Sequence, residues 1–206
     1  SFFGGYGFND LGREPLTESA PFGEPDERND AVLLALLSLE QQVRAFGGVA
    51  LRYSLFYDST TLSVSPVSRP WDGVLPMLHL SDAARAFVLA LAKYKAGAGY
   101  NVADEHPLTY HDREIARAEA ADIRPPLQLP DSVIRMRSPF GSMLLTRTSM
   151  ILDTGKIRAE LGWKPEYPSL LECLSIAAPV PKGIVIPRAK VAPARTAESE
   201  SESESE

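Results

Sequence analysis

The stretch Leu161-Gly162-Trp163-Lys164-Pro165-Glu166-Tyr167-Pro168-Ser169 decides the fold of this chain. Upstream of it, Asp153 or Thr154 is predicted to cap a short helix, because a short side-chain oxygen accepts the free amides of a first turn. That helix is predicted to end at Leu161, with Gly162 as its stop. Trp163 is predicted to fill the core beneath the last two helices.

The sequence on either side predicts further helices. Ser169 and Glu172 form a capping box for a final helix. A helix is predicted from about residue 31 to residue 45, capped by Asn29 or Asp30. Its first half, residues 31–37, is apolar on every face, which predicts burial on both sides.

Two more helices are predicted in the middle of the chain. Ser81 is predicted to cap a helix from Asp82 to about Lys95. A more polar helix is predicted to begin at Thr109 and to end before Pro125. Apolar residues recur at helical spacing in the first of these helices, namely Ala83, Phe87, Val88, Leu91 and Tyr94.

Extended segments alternate with these helices. Strands or extended runs are predicted at residues 49–53, 74–80 and 100–103. Strands that alternate with helices indicate an α/β fold. We predict one domain over residues 1–178, of which residues 1–30 are loop-rich, and a disordered tail over residues 179–206, Pro- and Ala-rich and then Ser/Glu.

Charge and composition exclude several classes of protein. The 206-residue chain has a formal charge of −6, but five glutamates lie in the Ser/Glu alternation from Glu198 to Glu206. The rest is close to neutral, so neither nucleic acid nor an anionic membrane is a predicted partner. The single cysteine, Cys173, is predicted to be a buried, inert thiol. Without a long apolar run or a signal peptide, the predicted location is cytoplasmic.

Seven short segments, taken in order, resemble one enzyme family. They are Ser1 to Gly7, Pro15 to Glu18, Ser38 to Val43, Leu51 to Tyr57, His79 to Ala86, Tyr100 to Ala103 and Lys156 to Pro168. Together they are similar to the carboxy-terminal portion of the extended short-chain dehydrogenase/reductase family, the NAD-dependent epimerase/dehydratases. The resemblance covers about residues 1–175.

The resemblance implies both fold and chemistry. It implies a partial Rossmann-like, NAD(P)-binding sheet, comprising its last strands and helices, with a small carboxy-terminal substrate-side subdomain. It implies NAD or NADP as cofactor, and a nucleotide-sugar or related carbonyl compound as substrate. By position, Tyr53 and Ser54 are expected to contact the cofactor, and Arg52, Tyr57 and His79 to contact the substrate.

The family's catalytic signature is absent from this sequence. No glycine cluster has the GxxGxxG spacing of a pyrophosphate-binding loop, and none of the seven tyrosines has a lysine four residues later. Aligned on Glu40, the expected Tyr and Lys positions hold Val32 and Leu36. The position that orients the substrate holds Phe2. We therefore predict no catalytic residue in this chain.

Structural roles remain open for the same candidates. Tyr53 and Tyr57 are also consistent with aromatic core residues whose hydroxyls lie at the rim. His79 is also consistent with a hydrogen-bonded histidine before a helix cap. His106 and His111 lack helical metal-binding spacing, so no metal site is predicted.

Two functions follow as hypotheses. In the first, the chain is the carboxy-terminal part of an NAD(P)-dependent epimerase/dehydratase-like protein and is catalytically incomplete. In the second, it is a non-catalytic interaction or regulatory protein that retains the fold and an acidic tail. Without amino-terminal strands, an unpaired sheet edge and an apolar helix are exposed, which predicts self-association or a protein partner.

Overall fold

The fold is described from a computed structural model of the chain, for residues 1–24, 30–60, 64–68, 71–137 and 139–176. The helices are α1 (Asp30–Ala45), α2 (Leu80–Lys93), α3 (Tyr110–Ala120), α4 (Asp131–Arg137), α5 (Pro139–Arg147), α6 (Gly155–Leu161) and α7 (Leu170–Ile176), and a 3-10 helix spans Phe3–Tyr6. The strands are β1 (Asp10–Leu16), β2 (Ala50–Tyr53), β3 (Leu55–Tyr57), β4 (Val67–Ser68), β5 (Val74–Leu75), β6 (Met77–His79), β7 (Gly99–Val102), β8 (Leu108–Thr109), β9 (Gln128–Leu129) and β10 (Ser149–Leu152).

The strand pairing is mainly parallel. β2 pairs with β7, β1 with β10, β3 with β6 and β4 with β9 in parallel, whereas β5 and β8 are antiparallel. Parallel neighbours require a crossover connection, and α2 lies within the connection from β2 to β7. This alternation confirms the predicted α/β class and the partial Rossmann-like sheet.

Local capping signals correctly predicted several helix ends. Gly162 ends α6 in the left-handed region with φ of 72°. The Thr109 hydroxyl accepts a hydrogen bond from the Asp112 amide at 3.0 Å, and the Ser169 hydroxyl accepts one from the Glu172 amide at 3.2 Å. At α2 the predicted cap is wrong. His79 is the capping residue, and Ser81 donates its amide to the imidazole from the first turn.

Within residues 1–24 the structure adds a 3-10 helix and strand β1 to the loops predicted for residues 1–30. Phe3 and Tyr6 are buried in the 3-10 helix, and β1 pairs with β10. β1 is mostly exposed and therefore lacks the alternating pattern that would reveal a strand. The predicted Asn29 cap and the predicted tail at 179–206 lie outside the described residues.

The predicted two-sided burial of α1 is also wrong. Leu33 is 2% exposed, whereas its neighbour Leu34 is 53% exposed. Among the described elements, the 3-10 helix and β2 are the main neighbours of α1. The 3-10 helix contacts its Leu33 side, because Leu33 belongs to the cluster that contains Phe3 and Tyr6.

Helix α2 packs through small side chains. Ala83, Ala86 and Ala90 are buried with Leu51 of β2 and Trp163. Alanines allow the helix axis to approach β2 closely, and of the larger apolar residues of α2, Phe87, Val88 and Leu91 lie exposed outside this contact. The helical spacing predicted the helix correctly. Of the five apolar residues at that spacing, however, only Ala83 is buried, and the four larger ones are exposed.

Asp82 ties α2 to the stretch from Leu161 to Ser169. Its carboxylate accepts hydrogen bonds from the amides of Glu166, at 2.9 Å, and Tyr167, at 3.0 Å. Its carbonyl accepts one from the Trp163 indole at 3.0 Å. Trp163 is fully buried in the cluster shared by α2, α6 and β7, whereas the sequence placed it beneath the last two helices.

Candidate functional site

Arg52 of β2 lies at the centre of a buried polar network. Its guanidinium donates to both carboxylate oxygens of Glu40 on α1, at 2.8 and 2.9 Å, and to the Tyr6 hydroxyl at 2.7 Å. The Tyr6 hydroxyl in turn donates to Asn101 of β7 at 2.7 Å. The guanidinium carbon lies 4.9 Å from the centre of the Tyr6 ring and 5.0 Å from that of Phe22.

This network joins β2 to α1, to the 3-10 helix and, through Tyr6, to β7. Burial opposes ionisation of Glu40, but the hydrogen bonds and charge of Arg52 outweigh burial and lower the pKa of the carboxyl. Arg52 is 3% exposed. Its contacts join α1, β2 and the 3-10 helix, which is a structural role. Substrate binding by Arg52 stays a prediction.

The two predicted cofactor contacts, Tyr53 and Ser54, already donate to backbone carbonyls. The Tyr53 hydroxyl donates to the Ala83 carbonyl at 3.2 Å, and the Ser54 hydroxyl donates to the Val102 carbonyl at 2.9 Å. Burial raises the pKa of the Tyr53 phenol to about 12. A phenol with this pKa keeps its proton at neutral pH. Both hydroxyls therefore hold β2 to its neighbours.

The described residues do not fit a dinucleotide. A pyrophosphate needs a strand, a glycine-rich turn and the first turn of a helix in direct succession. Where β10 leads into α6, the connection is Asp153-Thr154 and the helix begins at a single glycine, Gly155. The Asp153 carboxylate accepts the Gly155 amide at 2.8 Å, so an acidic side chain already occupies the first amide of this helix.

Tyr57 and His79 come together with two residues that sequence reasoning missed, Asp104 and Tyr167. The Tyr57 hydroxyl donates to the Asp104 carboxylate at 2.7 Å, and its ring meets the His79 imidazole edge-on at 5.4 Å. The Tyr167 ring lies 4.0 Å from the imidazole on the other side. Asp104 lies two residues beyond the end of β7, and Tyr57 is the last residue of β3.

His79 is a neutral, hydrogen-bonded histidine in this cluster. Its Nδ1 lies 2.7 Å from the Ser81 hydroxyl and accepts the Ser81 amide at 3.3 Å. Burial lowers the pKa of the imidazole despite the nearby carboxylates of Asp82 and Asp58. These contacts agree with the hydrogen-bonded, structural histidine that the sequence offered as the alternative for residue 79. Substrate binding by His79 or Tyr57 stays a prediction.

Asp104 is a buried carboxyl beside a cavity. It is 6% exposed, and its Oδ1 has no hydrogen-bond partner in the described part of the chain. Burial raises the pKa of this carboxyl to about 7, although the Tyr57 hydrogen bond lowers it. A cavity of about 410 Å³ adjoins it, lined by Asp104, Glu105, Asp153, Arg158 and apolar residues from β10. A carboxyl with this pKa can hold or release a proton near neutral pH.

Replacing Asp104 with asparagine is expected to remove a pH dependence from stability. Because the folded pKa exceeds the unfolded value of 3.8, the free energy of unfolding falls as pH rises from about 4 to about 7. At pH 8 we expect Asp104→Asn to raise the free energy of unfolding by up to about 4 kcal/mol. Urea unfolding of both proteins between pH 5 and pH 8 measures this difference.

The exposed Asp72 provides the matched control. Asp72→Asn is expected to change the free energy of unfolding at pH 8 by less than about 0.5 kcal/mol. Parallel profiles for the wild type and Asp104→Asn would contradict the placement of a buried titrating carboxyl at residue 104.

Other chemistry finds little support among the described side chains. No group of three or more His, Cys, Asp or Glu side chains is placed there to hold a metal ion. Cys173 is buried, as predicted, and burial raises the pKa of its thiol to about 11. No described helix combines the length and apolar character needed to cross a bilayer.

Comparison with curated proteins identifies a reductase as a relative. The chain is 30% identical over 172 residues to a 3-diazoavenalumate denitrifying reductase from Streptomyces. The match covers 75% of this chain and 56% of the reductase. The chain therefore spans little more than half the length of that protein. No profile of a known protein family matches the sequence.

Solved structures show the same fold. A dTDP-glucose 4,6-dehydratase from Bacillus anthracis, in complex with NAD, superposes with a TM-score of 0.65 at 15% identity, covering 85% of this chain and 58% of that chain. A UDP-glucose 4-epimerase from Thermotoga maritima, with UDP-glucose, superposes with a TM-score of 0.63 at 22% identity, covering 85% and 60%. These neighbours are NAD-dependent epimerase/dehydratases, so the resemblance predicted from the sequence is confirmed at the level of the fold.

Proposed function

We propose that this chain is the carboxy-terminal part of a member of the extended short-chain dehydrogenase/reductase family. The observation that carries the proposal is the superposition of its backbone on a dehydratase and an epimerase of that family. The identity of 30% with a reductase over 172 residues supports it. In this proposal residues 1–178 form one domain that comprises the last part of the nucleotide-binding sheet and the small substrate-side subdomain.

The complete protein would carry out NAD(P)-dependent oxidoreduction or epimerisation of a nucleotide-sugar or a related carbonyl compound. The 206-residue chain by itself would be catalytically incomplete. Two features support incompleteness: the hydroxyls of Tyr53 and Ser54 are engaged by carbonyls, and the sequence lacks a GxxGxxG loop and a Tyr/Lys pair. In the complete protein, this chain would supply the Arg52 network, which fixes the position of β2.

The chain alone is expected not to bind the cofactor. Titration with NADH and NADPH, followed by nucleotide fluorescence or calorimetry, should give no Kd tighter than about 1 mM. A hybrid in which the unmatched part of the Bacillus anthracis dehydratase precedes this chain should bind NADH, because that dehydratase was solved in complex with NAD. The dehydratase itself serves as the positive control.

Two results would contradict the proposal. A micromolar affinity for NADH in the isolated chain would show that a cofactor site exists within it. A folded hybrid that binds no NADH would separate this chain from the family.

The alternative is a non-catalytic interaction or regulatory protein. The observation that favours it is the Ser/Glu alternation from Glu198 to Glu206 combined with the missing Tyr/Lys pair. Deleting residues 180–206 is expected to leave folding intact. Loss of partner capture on deletion would favour the interaction role, and unchanged capture would count against it.

A further inference from the structure

The cavity beside Asp104 has an acidic lining. Its charged groups are three carboxyls, from Asp104, Glu105 and Asp153, and one guanidinium, from Arg158. The cavity has a volume of about 410 Å³, and small-molecule sites have volumes of roughly 300–1,000 Å³. Because the acidic groups outnumber the basic one, the lining attracts a cation and repels an anion.

Asp104 contributes a buried oxygen to this lining that lacks a donor. Glu105 forms an ion pair with Arg158 at 3.1 Å, and Asp153 accepts the Gly155 amide at 2.8 Å. Tyr57 donates to one oxygen of Asp104, whereas the other, Oδ1, has no hydrogen-bond partner among the described residues. Asp104 is only 6% exposed. A buried polar atom without a partner is costly, so a donor from a bound molecule would stabilise this carboxyl.

The remainder of the cavity wall is aliphatic. Among the described residues no aromatic ring lines the cavity, so it lacks the faces that hold quaternary ammonium groups. Nor is any group of three acidic, His or Cys side chains there placed to hold a metal ion. A primary ammonium group, with three N–H donors, suits Asp104. The apolar residues of the wall are Pro15, Pro76, Ala103, Pro107, Ile151 and Leu152.

We propose that this cavity binds a small organic cation, a primary amine in its ammonium form, with Asp104 as the anion that recognises it. The apolar body of the amine contacts the aliphatic wall. A nucleotide-sugar carries a negatively charged pyrophosphate, which the acidic lining repels. Amine binding here requires neither a cofactor nor residues outside this chain, so it goes beyond the proposed function.

Three ligands with the same apolar body test the charge of the occupant. Cyclohexylmethylamine, cyclohexylmethanol and cyclohexanecarboxylate are titrated into the full 206-residue chain at pH 8, and binding is followed by calorimetry and amide chemical shifts. We expect a Kd of about 1 mM or tighter for the amine, and binding at least about tenfold weaker for the alcohol and the acid. Shifts are expected at residues 103–105 and 153–155 and not in α1.

Two substitutions are expected to act in opposite directions. Asp104→Asn removes the recognising charge and should weaken amine binding about tenfold or more at pH 8. This variant is expected to be at least as stable as the wild type at that pH, so lost binding is not lost folding. Arg158→Gln removes the cation of the lining and should tighten amine binding about two- to threefold. The exposed Asp72 again supplies the control, and Asp72→Asn should leave the Kd unchanged.

The pH dependence of binding gives a separate readout. Burial raises the pKa of Asp104 to about 7, so the carboxyl must lose its proton before it pairs with an ammonium group. The affinity for the amine is therefore expected to rise about tenfold from pH 6 to pH 8, with proton release on binding. The other titratable groups that face Asp104 are Tyr57 of β3, His79 of β6, Asp82 of α2, and Glu172 and Cys173 of α7.

Three outcomes would overturn the proposal. The first is a Kd for the amine weaker than about 1 mM. The second is equal affinity for the amine and the alcohol, which would make the cavity a site for apolar groups alone. The third is equal amine affinity in the wild type and Asp104→Asn. NADH is absent from this assay, so amine binding and cofactor binding can fail independently.

Discussion

Replacing Glu40 with alanine is expected to lower the free energy of unfolding by about 3–5 kcal/mol, because it leaves a buried guanidinium without its counter-charge. Arg52 and Glu40 are 3% and 2% exposed, and two hydrogen bonds join them. A natural domain is stable by about 5–15 kcal/mol, so the loss threatens folding itself. Urea unfolding at pH 7 measures the change.

Three companion variants separate the ion pair from its surroundings. Arg44 contacts the same carboxylate at 3.3 Å with a side chain that is 43% exposed, so Arg44→Ala should cost less than about 1 kcal/mol. Glu40→Gln keeps an acceptor and should fall between the wild type and Glu40→Ala. Glu40→Leu combined with Arg52→Met removes both charges and should recover part of the loss. A cost below about 1 kcal/mol for Glu40→Ala would contradict the buried pairing.

Replacing Trp163 with alanine is expected to cost about 3–5 kcal/mol, since it opens a cavity between α2, α6 and β7. Trp163 is fully buried, and its indole donates to the Asp82 carbonyl at 3.0 Å. Losing the indole therefore also loosens the link between α2 and the stretch from Leu161 to Ser169. Chemical denaturation followed by circular dichroism measures the loss.

The conservative change Trp163→Phe tests the same site when the alanine variant fails to fold. It retains most of the apolar contact and removes the hydrogen bond, worth about 0.5–1.5 kcal/mol. The exposed aromatic Phe46, 91% exposed, supplies the control, and Phe46→Ala should change stability by less than about 0.5 kcal/mol. Equal effects at residues 163 and 46 would refute the placement of Trp163 in the core.

The candidate site was only partly predictable. Tyr57 and His79 were predicted to lie in one site, and the structure brings them together. Arg52 was predicted to share the substrate site with them, and Tyr53 was predicted to contact the cofactor. The two side chains face α1 and α2, because successive side chains of a strand point to opposite faces. Asp104 was missed, although it lies two residues after the end of β7. Binding groups of α/β folds gather beyond the carboxyl ends of parallel strands, so this position was a usable signal.

The sequence predicted an exposed apolar helix surface but placed it on the wrong helix. The sequence pointed to residues 31–37 of α1, where Leu33 is in fact buried and Leu34 exposed. The larger uncovered surface lies on α2, where alanines make the contact with the sheet. An apolar stripe predicts that a helix packs against another element. Which residues of the helix make the contact depends on how closely that element approaches, and the sequence of the helix does not give this distance.

The sequence by itself determined the α/β class and where most of the long helices begin and end. Caps and stops such as Thr109, Ser169 and Gly162 act within one helical turn, so their effect is readable locally. The family-like stretch from Leu161 to Ser169 also indicated the fold. Only the tertiary structure decided the partners of Arg52, Asp82 and Asp104, which lie up to 85 positions away along the chain. Such pairs depend on how strands and helices pack, and no local spacing encodes which distant groups will meet.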